Sequence, residues 1–174
     1  MDDRQQRFEA LALPHMDAAY NLARWLSRSP SDADDIVQEA MLRAFRAFDG
    51  FRGESVRPWL LAIVRNCWRS NAGDVRRRAQ TALPDEDGPA LASQDPDPEA
   101  AALSAGEGRR LEAAIARLPP DFREVLILRE MEDLSYREIA EATGTPIGTV
   151  MSRLARARAL LKQGWLEEDR HDLS

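Results

Sequence analysis

The chain is poor in several things, and each shortage closes off a class of function. Its 174 residues hold one cysteine and two histidines. No internal disulfide can form, and no Cys/His set is at hand for a structural metal. No apolar run reaches the roughly 20 residues that a bilayer span requires. The acidic opening Met1-Asp2-Asp3 is unlike a signal peptide, so the expected address is the cytoplasm, without membrane insertion. No glycine-rich phosphate cradle, nucleophile–base pair or metal-ligand cluster is present, and the expectation is a protein that is no enzyme and carries no metal or cofactor. Basic residues are missing altogether from Ala79 to Gly108, where seven acids stand: Asp85, Glu86, Asp87, Asp95, Asp97, Glu99 and Glu107. Those seven more than account for the net charge of −6, leaving about +1 on the rest, where the arginines are clustered. Attraction to phosphate follows the local field, so the overall charge does not exclude a nucleic-acid partner.

What is present reads as all-α. With 44% hydrophobic and 31% charged residues the composition is soluble and globular, with room for one domain or two small ones. Apolar positions from Phe8 to Ser27 (Leu11, Ala18, Ala19, Leu22, Ala23, Leu26) recur at helical spacing, with Pro14 marking a start or bend. A turn over 29–34 leads into a helix from about Ala33 to Phe48, burying Val37, Ala40, Met41, Ala44, Phe45 and Phe48. Its other side carries Asp35, Gln38, Glu39, Arg46 and an isolated Leu42. A scattered surface leucine is ordinary, and a leucine rimmed by polar residues is also how a partner-binding patch is built.

The glycine-punctuated loop Phe51-Arg52-Gly53-Glu54-Ser55 precedes a long helix from about Pro58 to Arg76-Arg77-Arg78. Its buried stripe is expected to be Leu60, Leu61, Ile63, Val64, Cys67, Trp68 and Val75, which makes Cys67 a core residue. Arg65, Arg69 and Arg76 line the opposite side, flanked by Trp59 and Asn66. Such a ridge suits single-stranded nucleic acid, phosphates on the arginines and a base on the ring; a solvated amphipathic helix with Trp59 half-buried fits the same spacing. Residues 81–106, rich in proline and acids, read as an extended linker between two helical modules. The second opens with Leu111, Ile115 and Leu118, breaks at Pro119-Pro120 and continues with Phe122, Val125, Leu126 and Leu128.

The stretch 135–161 reads as two helices joined by a tight turn. Ser135 and Glu138 have capping-box spacing, Gly144 supplies the turn, Thr145 caps the second helix and Pro146 takes its first position. Ile147, Val150, Leu154, Ala157 and Leu161 form the expected buried stripe, which turns Thr149, Ser152, Arg153 and Arg156 outward. That is the layout of a helix-turn-helix; a helical hairpin with a solvated basic face shares it.

Together these pieces resemble a bacterial sigma factor of the sigma-70 family, extracytoplasmic-function (group IV) class. Asp34-Asp-Ile-Val-Gln-Glu-Ala-Met-Leu-Arg-Ala-Phe45 is similar to the family's core-polymerase-binding helix. Phe51-Arg-Gly-Glu-Ser55 with Trp59-Leu-Leu-Ala-Ile-Val-Arg-Asn66 is similar to its promoter-melting loop and minus-ten-reading helix. Leu118-Pro-Pro-Asp-Phe-Arg-Glu-Val-Leu126, Leu134-Ser-Tyr-Arg-Glu-Ile-Ala140 and Gly148-Thr-Val-Met-Ser-Arg-Leu154 resemble the domain that reads the minus-thirty-five element. The resemblance implies two small helical domains, region 2 over 1–79 and region 4 over 107–174, joined by a flexible acidic linker over 80–106. It implies that Asp34, Asp35, Gln38, Glu39 and Leu42 dock on the coiled coil of the largest polymerase subunit, with the flap of the second-largest subunit as a further contact. It gives the minus-ten element to Phe51, Arg52, Gly53, Glu54, Ser55, Trp59, Arg65, Asn66, Arg69, Arg76, Arg77 and Arg78. It gives the minus-thirty-five element to Thr149, Met151, Ser152, Arg153 and Arg156, Met151 standing where many members carry a basic residue. Core RNA polymerase, promoter DNA and an anti-sigma factor are the implied partners. A sigma-mimicking protein that sequesters an anti-sigma factor would share the fold without needing Arg65, Asn66, Arg69, Arg153 and Arg156. A free-standing helix-turn-helix repressor would leave the Leu42 face unexplained.

Overall fold

A computed structural model of the chain describes residues 2–27, 29–79 and 98–172, with the backbone alone at 72, 74–79, 98–104 and 172. Among the described residues the regular structure is helical and contains no strand. The first unit comprises α1 (Asp3–Ala12), α2 (Met16–Leu26), α3 (Pro30–Ala47) and α4 (Val56–Ala79); the second comprises α5 (Pro98–Ala116), α6 (Pro120–Glu130), α7 (Tyr136–Thr143) and α8 (Ile147–Asp172).

Local chemistry places most boundaries. Pro14 sits in a single 3-10 turn, Leu13–His15, so the expected bend divides α1 from α2. The Ser29 hydroxyl accepts from the Asp32 amide and Pro30 takes the first helical position, which starts α3 three residues before the expected Ala33. Ser135 and Glu138 close the capping box in both directions. Gly144 ends α7 in the left-handed region at φ 65°, a conformation that costs residues with a Cβ 1–2 kcal/mol or so. Arg123 donates to the Ile115, Ala116 and Leu118 carbonyls and so closes the C-terminal end of α5.

Several expectations need correction. Residues 98–106, expected within the linker, form the first half of α5; Pro98 at the first position and the run Glu-Ala-Ala-Ala-Leu are good helix-starting chemistry. The rest of the expected linker, 80–97, lies outside the described residues. Ile147, placed in the buried stripe of α8, is 46% exposed, and the first fully buried position of the helix is Val150. Leu11, taken as inward-facing, is likewise exposed. At the start of α8, Pro146 stands just before the helix rather than in it, and the Thr145 hydroxyl meets that of Thr143.

One apolar core runs through both units. In the first it gathers Leu22, Leu26, Ile36, Val37, Leu60, Leu61, Val64 and Trp68; in the second Ile115, Val125, Ile127, Leu128, Ile139, Val150 and Leu154. The units meet where α2 packs on α5 and α6 and where α4 packs on α7. That contact sets what each basic face can touch.

Candidate polymerase and nucleic-acid interfaces

The polar side of α3 is built as expected. Asp34, Asp35 and Gln38 are exposed, Glu39 pairs with Arg43 at 2.7 Å, and Leu42 stands 53% exposed among them while Ile36, Val37, Ala40 and Ala44 are buried on the far side. An exposed apolar side chain inside a polar rim is the usual centre of a protein interface. Behind it, Cys67 lies 3% exposed against α3. Burial pushes its thiol up, against a smaller opposing pull from Arg43, so little thiolate exists at neutral pH and Cys67 acts as a core residue.

The loop 51–55 is held by its own backbone. Arg52 donates to the Asp49 carbonyl at 2.6 Å and the Phe51 carbonyl at 2.9 Å. The Phe51 ring packs on Trp59 with centroids 4.9 Å apart. A Cβ at Gly53 would stand 2.8 Å from the Phe51 ring, so only glycine lets the loop close this tightly over the pair. Trp59 is therefore half-buried on one face, not a free platform. The loop, Trp59 and Pro58 form one wall of a cleft of about 720 Å³; the opposite wall is α7, through Ser135, Arg137, Glu138 and Glu141.

The basic ridge on α4 is occupied from within. Arg65 donates from Nε and Nη2 to the two oxygens of Glu124 at 2.8 and 2.9 Å, a side-on fork. Arg69 adds a third donor to Glu124 from Nε at 3.0 Å and reaches Asp121 from Nη2 at 2.5 Å. Glu124 is fully buried and Arg65 is 17% exposed. Asn66, exposed, accepts from Arg65 at 3.1 Å. The hydrogen bond from Arg69 holds the Asp121 carboxyl below its usual range, with Arg69, Arg153 and Arg65 charge acting in the same sense against partial burial. A second cross-contact joins Arg57 of α4 to Glu132 at 3.1 Å; burial pushes the Glu132 carboxyl up and Arg57 opposes it. The side chains of Arg76, Arg77 and Arg78 lie outside the described residues.

On α8, Thr149 is half-buried and Met151, Ser152 and Arg156 are exposed. Met151 and Ile147, one turn apart, put an apolar edge on the outward face. Arg153 is 25% exposed and lies 3.7 Å from Asp121, so it is drawn toward α6.

With this geometry in view, the family models Sigma-70 region 2 and Sigma-70, region 4 match residues 11–81 and 108–161, in that order. A curated relative, the ECF RNA polymerase sigma-E factor of Haemophilus influenzae, is 36% identical over 81% of this chain and 77% of its own length. The chain belongs to the ECF sigma factors. Its similarity to ECF RNA polymerase sigma factor SigE of Mycolicibacterium smegmatis is 37% identity over 89% of the chain, which spans 60% of that relative's length. Among solved structures, the sigma factor RpoE in complex with the anti-sigma factor NepR from Bartonella quintana overlays with a TM-score of 0.77 at 27% identity, covering 92% of this chain and 97% of that one. CnrH in complex with the cytosolic domain of CnrY gives 0.66 at 28% identity, covering 95% and 90%. Both overlays span the two units together.

Sequence reasoning foresaw the residue types of all three faces and missed Glu124. A signal was available: Glu124 stands three and four places before Ile127 and Leu128, on their buried side of α6, and a carboxylate in an apolar stripe demands a cationic partner.

Proposed function

We propose that the chain is a promoter-specificity subunit that works in the cytoplasm without catalysing bond chemistry. It binds core RNA polymerase through Asp34, Asp35, Gln38, Glu39 and Leu42 of α3. Its first unit takes the minus-ten element through the 51–55 loop, Trp59, Arg65, Asn66, Arg69 and the 76–78 arginines. Its second unit seats α8 in the major groove of the minus-thirty-five element through Thr149, Met151, Ser152, Arg153 and Arg156. Region 2 is assigned to 1–79 and region 4 to 107–174, and the helix that leads into region 4 begins at Pro98, inside the 80–106 stretch expected as linker. The observation that carries the reading is the ordered match to both sigma regions on one chain, with an exposed leucine in the acidic face of α3.

The physical division of labour is clear. Phosphate contacts from arginine position the protein, while base edges and methyl groups read sequence. Met151 and Ile147 offer apolar contact suited to thymine methyl groups, beside the polar Ser152 and Arg156. Extracting a base at the melted strand costs a few kcal/mol, to be returned by contacts in the cleft of Phe51 and Trp59. The likeness to RpoE, a sigma factor solved with the anti-sigma factor NepR, supports control of this chain by an anti-sigma factor as well.

Run-off transcription with purified core enzyme and host genomic templates tests the proposal. Specific starts should depend on this protein, and Leu42→Ala should weaken core binding while leaving the helical circular-dichroism signal unchanged. Absence of any dependent start, or full binding by Leu42→Ala, would refute the corresponding assignment.

A further inference from the structure

We propose that the chain closes on itself through a latch on α6, in which Glu124 and Asp121 occupy the arginines that hold promoter phosphate. The latch rests on the reading above for what it hides, and on the ion pairs alone for how it closes.

The geometry is that of a phosphate site filled by protein. Glu124 presents two oxygens to the Arg65 fork and shares one with Arg69, whose other end takes Asp121. Guanidinium forks bind carboxylate and phosphate in the same side-on manner, so the two compete for the same donors. The partners lie 59 and 55 positions apart in sequence and on different units, and nothing local brings them together. A buried carboxylate is tolerated only while paired, and stripping its partner leaves an uncompensated charge. Partial release is therefore disfavoured: either both arginines stay on Glu124, or the units part and water reaches all four groups. That is the two-state behaviour a switch needs.

Two further contacts act in the same direction. Arg57–Glu132 pins the start of α4 to the turn after α6, and α7 walls the cleft beneath the 51–55 loop. Asp121 also draws Arg153 at 3.7 Å, so one carboxylate engages arginines assigned to both promoter elements. In RpoE solved with NepR the overlay with this chain extends over both units. Here the closing contacts lie within the chain itself, and an anti-sigma factor would capture the state they hold.

The test uses the full chain with spin labels at Asp17→Cys on α2 and Gln163→Cys on α8, both exposed, with Cys67 too buried to label. Pulsed electron-spin distance measurement reports closure, and a short labelled single-stranded DNA of mixed sequence reports access to α4. The parent should give one narrow distance. Glu124→Gln with Asp121→Asn should move most molecules to longer, broader distances. If nine in ten parent molecules are closed, apparent DNA affinity should rise about tenfold on opening. Asp121→Asn alone changes an exposed side chain, so it keeps the test valid should the double variant fail to fold; it should give a smaller shift of the same sign. Unchanged distances in both variants would overturn the latch. Opening without any gain in DNA binding would leave the latch standing and remove Arg65 and Arg69 from the phosphate-binding set.

Discussion

Two arginine faces of this sigma factor are alike in sequence and opposite in fate. On α4, Arg65 and Arg69 are one turn apart and fully engaged by Glu124 and Asp121. On α8, Arg156 is exposed and, among the described residues, has no ion pair. The difference lies in what each helix faces. The α4 ridge turns toward α6 of the other unit, whose buried carboxylate requires cations. The part of α8 that bears Arg156 is seated on its own unit by Val150, Leu154 and Ala157 and leaves its far side to solvent. A basic stripe thus advertises phosphate affinity without telling whether the donors are available. Arg153 falls between these cases, half drawn to Asp121.

The largest expected effect comes from unseating the free face. Leu154 is 1% exposed, and Leu154→Ala should cost about 2–5 kcal/mol of second-unit stability through lost burial and the cavity left behind. Urea denaturation followed by circular dichroism reads this directly; a change within error would mean α8 is not held by that stripe. A smaller effect separates the two faces. Arg156→Ala should cost roughly 1–3 kcal/mol of minus-thirty-five discrimination if it reads a base edge, and leave the interunit distance unchanged. Arg65→Ala would remove a proposed phosphate donor and open the latch together, so its interunit distance should lengthen while its apparent DNA affinity changes little. Gel-shift titration beside the distance measurement distinguishes them, and identical behaviour of the two variants would erase the contrast.

The smallest effect is a pH dependence. Asp121 has a depressed carboxyl in the closed form, so its ion pair contributes fully above the ordinary aspartate value of about 3.9 and is lost as pH falls through the lower, closed-state value. Glu132 works in the opposite sense: its carboxyl is raised by burial, so its cost develops as pH rises from the ordinary glutamate value of about 4.3 through the raised one. The closed fraction of the parent, followed from neutral pH to below about pH 4, should drop at the acid end, and Asp121→Asn should lack that drop. The same acid-end loss in the variant would assign it to another group.

Much of the fold was legible in order along the chain. Capping at Ser135 and Glu138, the left-handed Gly144, the break at Pro119-Pro120 and the inward stripe of α4 from Leu60 to Trp68 follow from spacing alone, because they depend on neighbours within about four residues, while the side chain of Val75, expected in the same stripe, lies outside the described residues. The Leu42 face was legible as a polar helix side with one leucine out of place. Ile147 was misplaced because periodicity marks a direction around α8 without marking where its packing begins. Residues 98–106 were taken for linker because acids and prolines dominate the segment upstream, although Pro98 and the alanines after it start a helix.

By itself, then, the sequence determined the all-helical class, the capping box at Ser135 and the turn at Gly144, the family, and the chemical types on each face. Only the tertiary structure decided which of those side chains are available. Helix, cap and turn arise from contacts a few residues apart and leave a period that can be read. The pairing of Arg65 and Arg69 with Glu124 has no period: it exists because packing α2 on α6 and α4 on α7 carries a buried carboxylate across 55–59 positions to a ridge able to neutralise it.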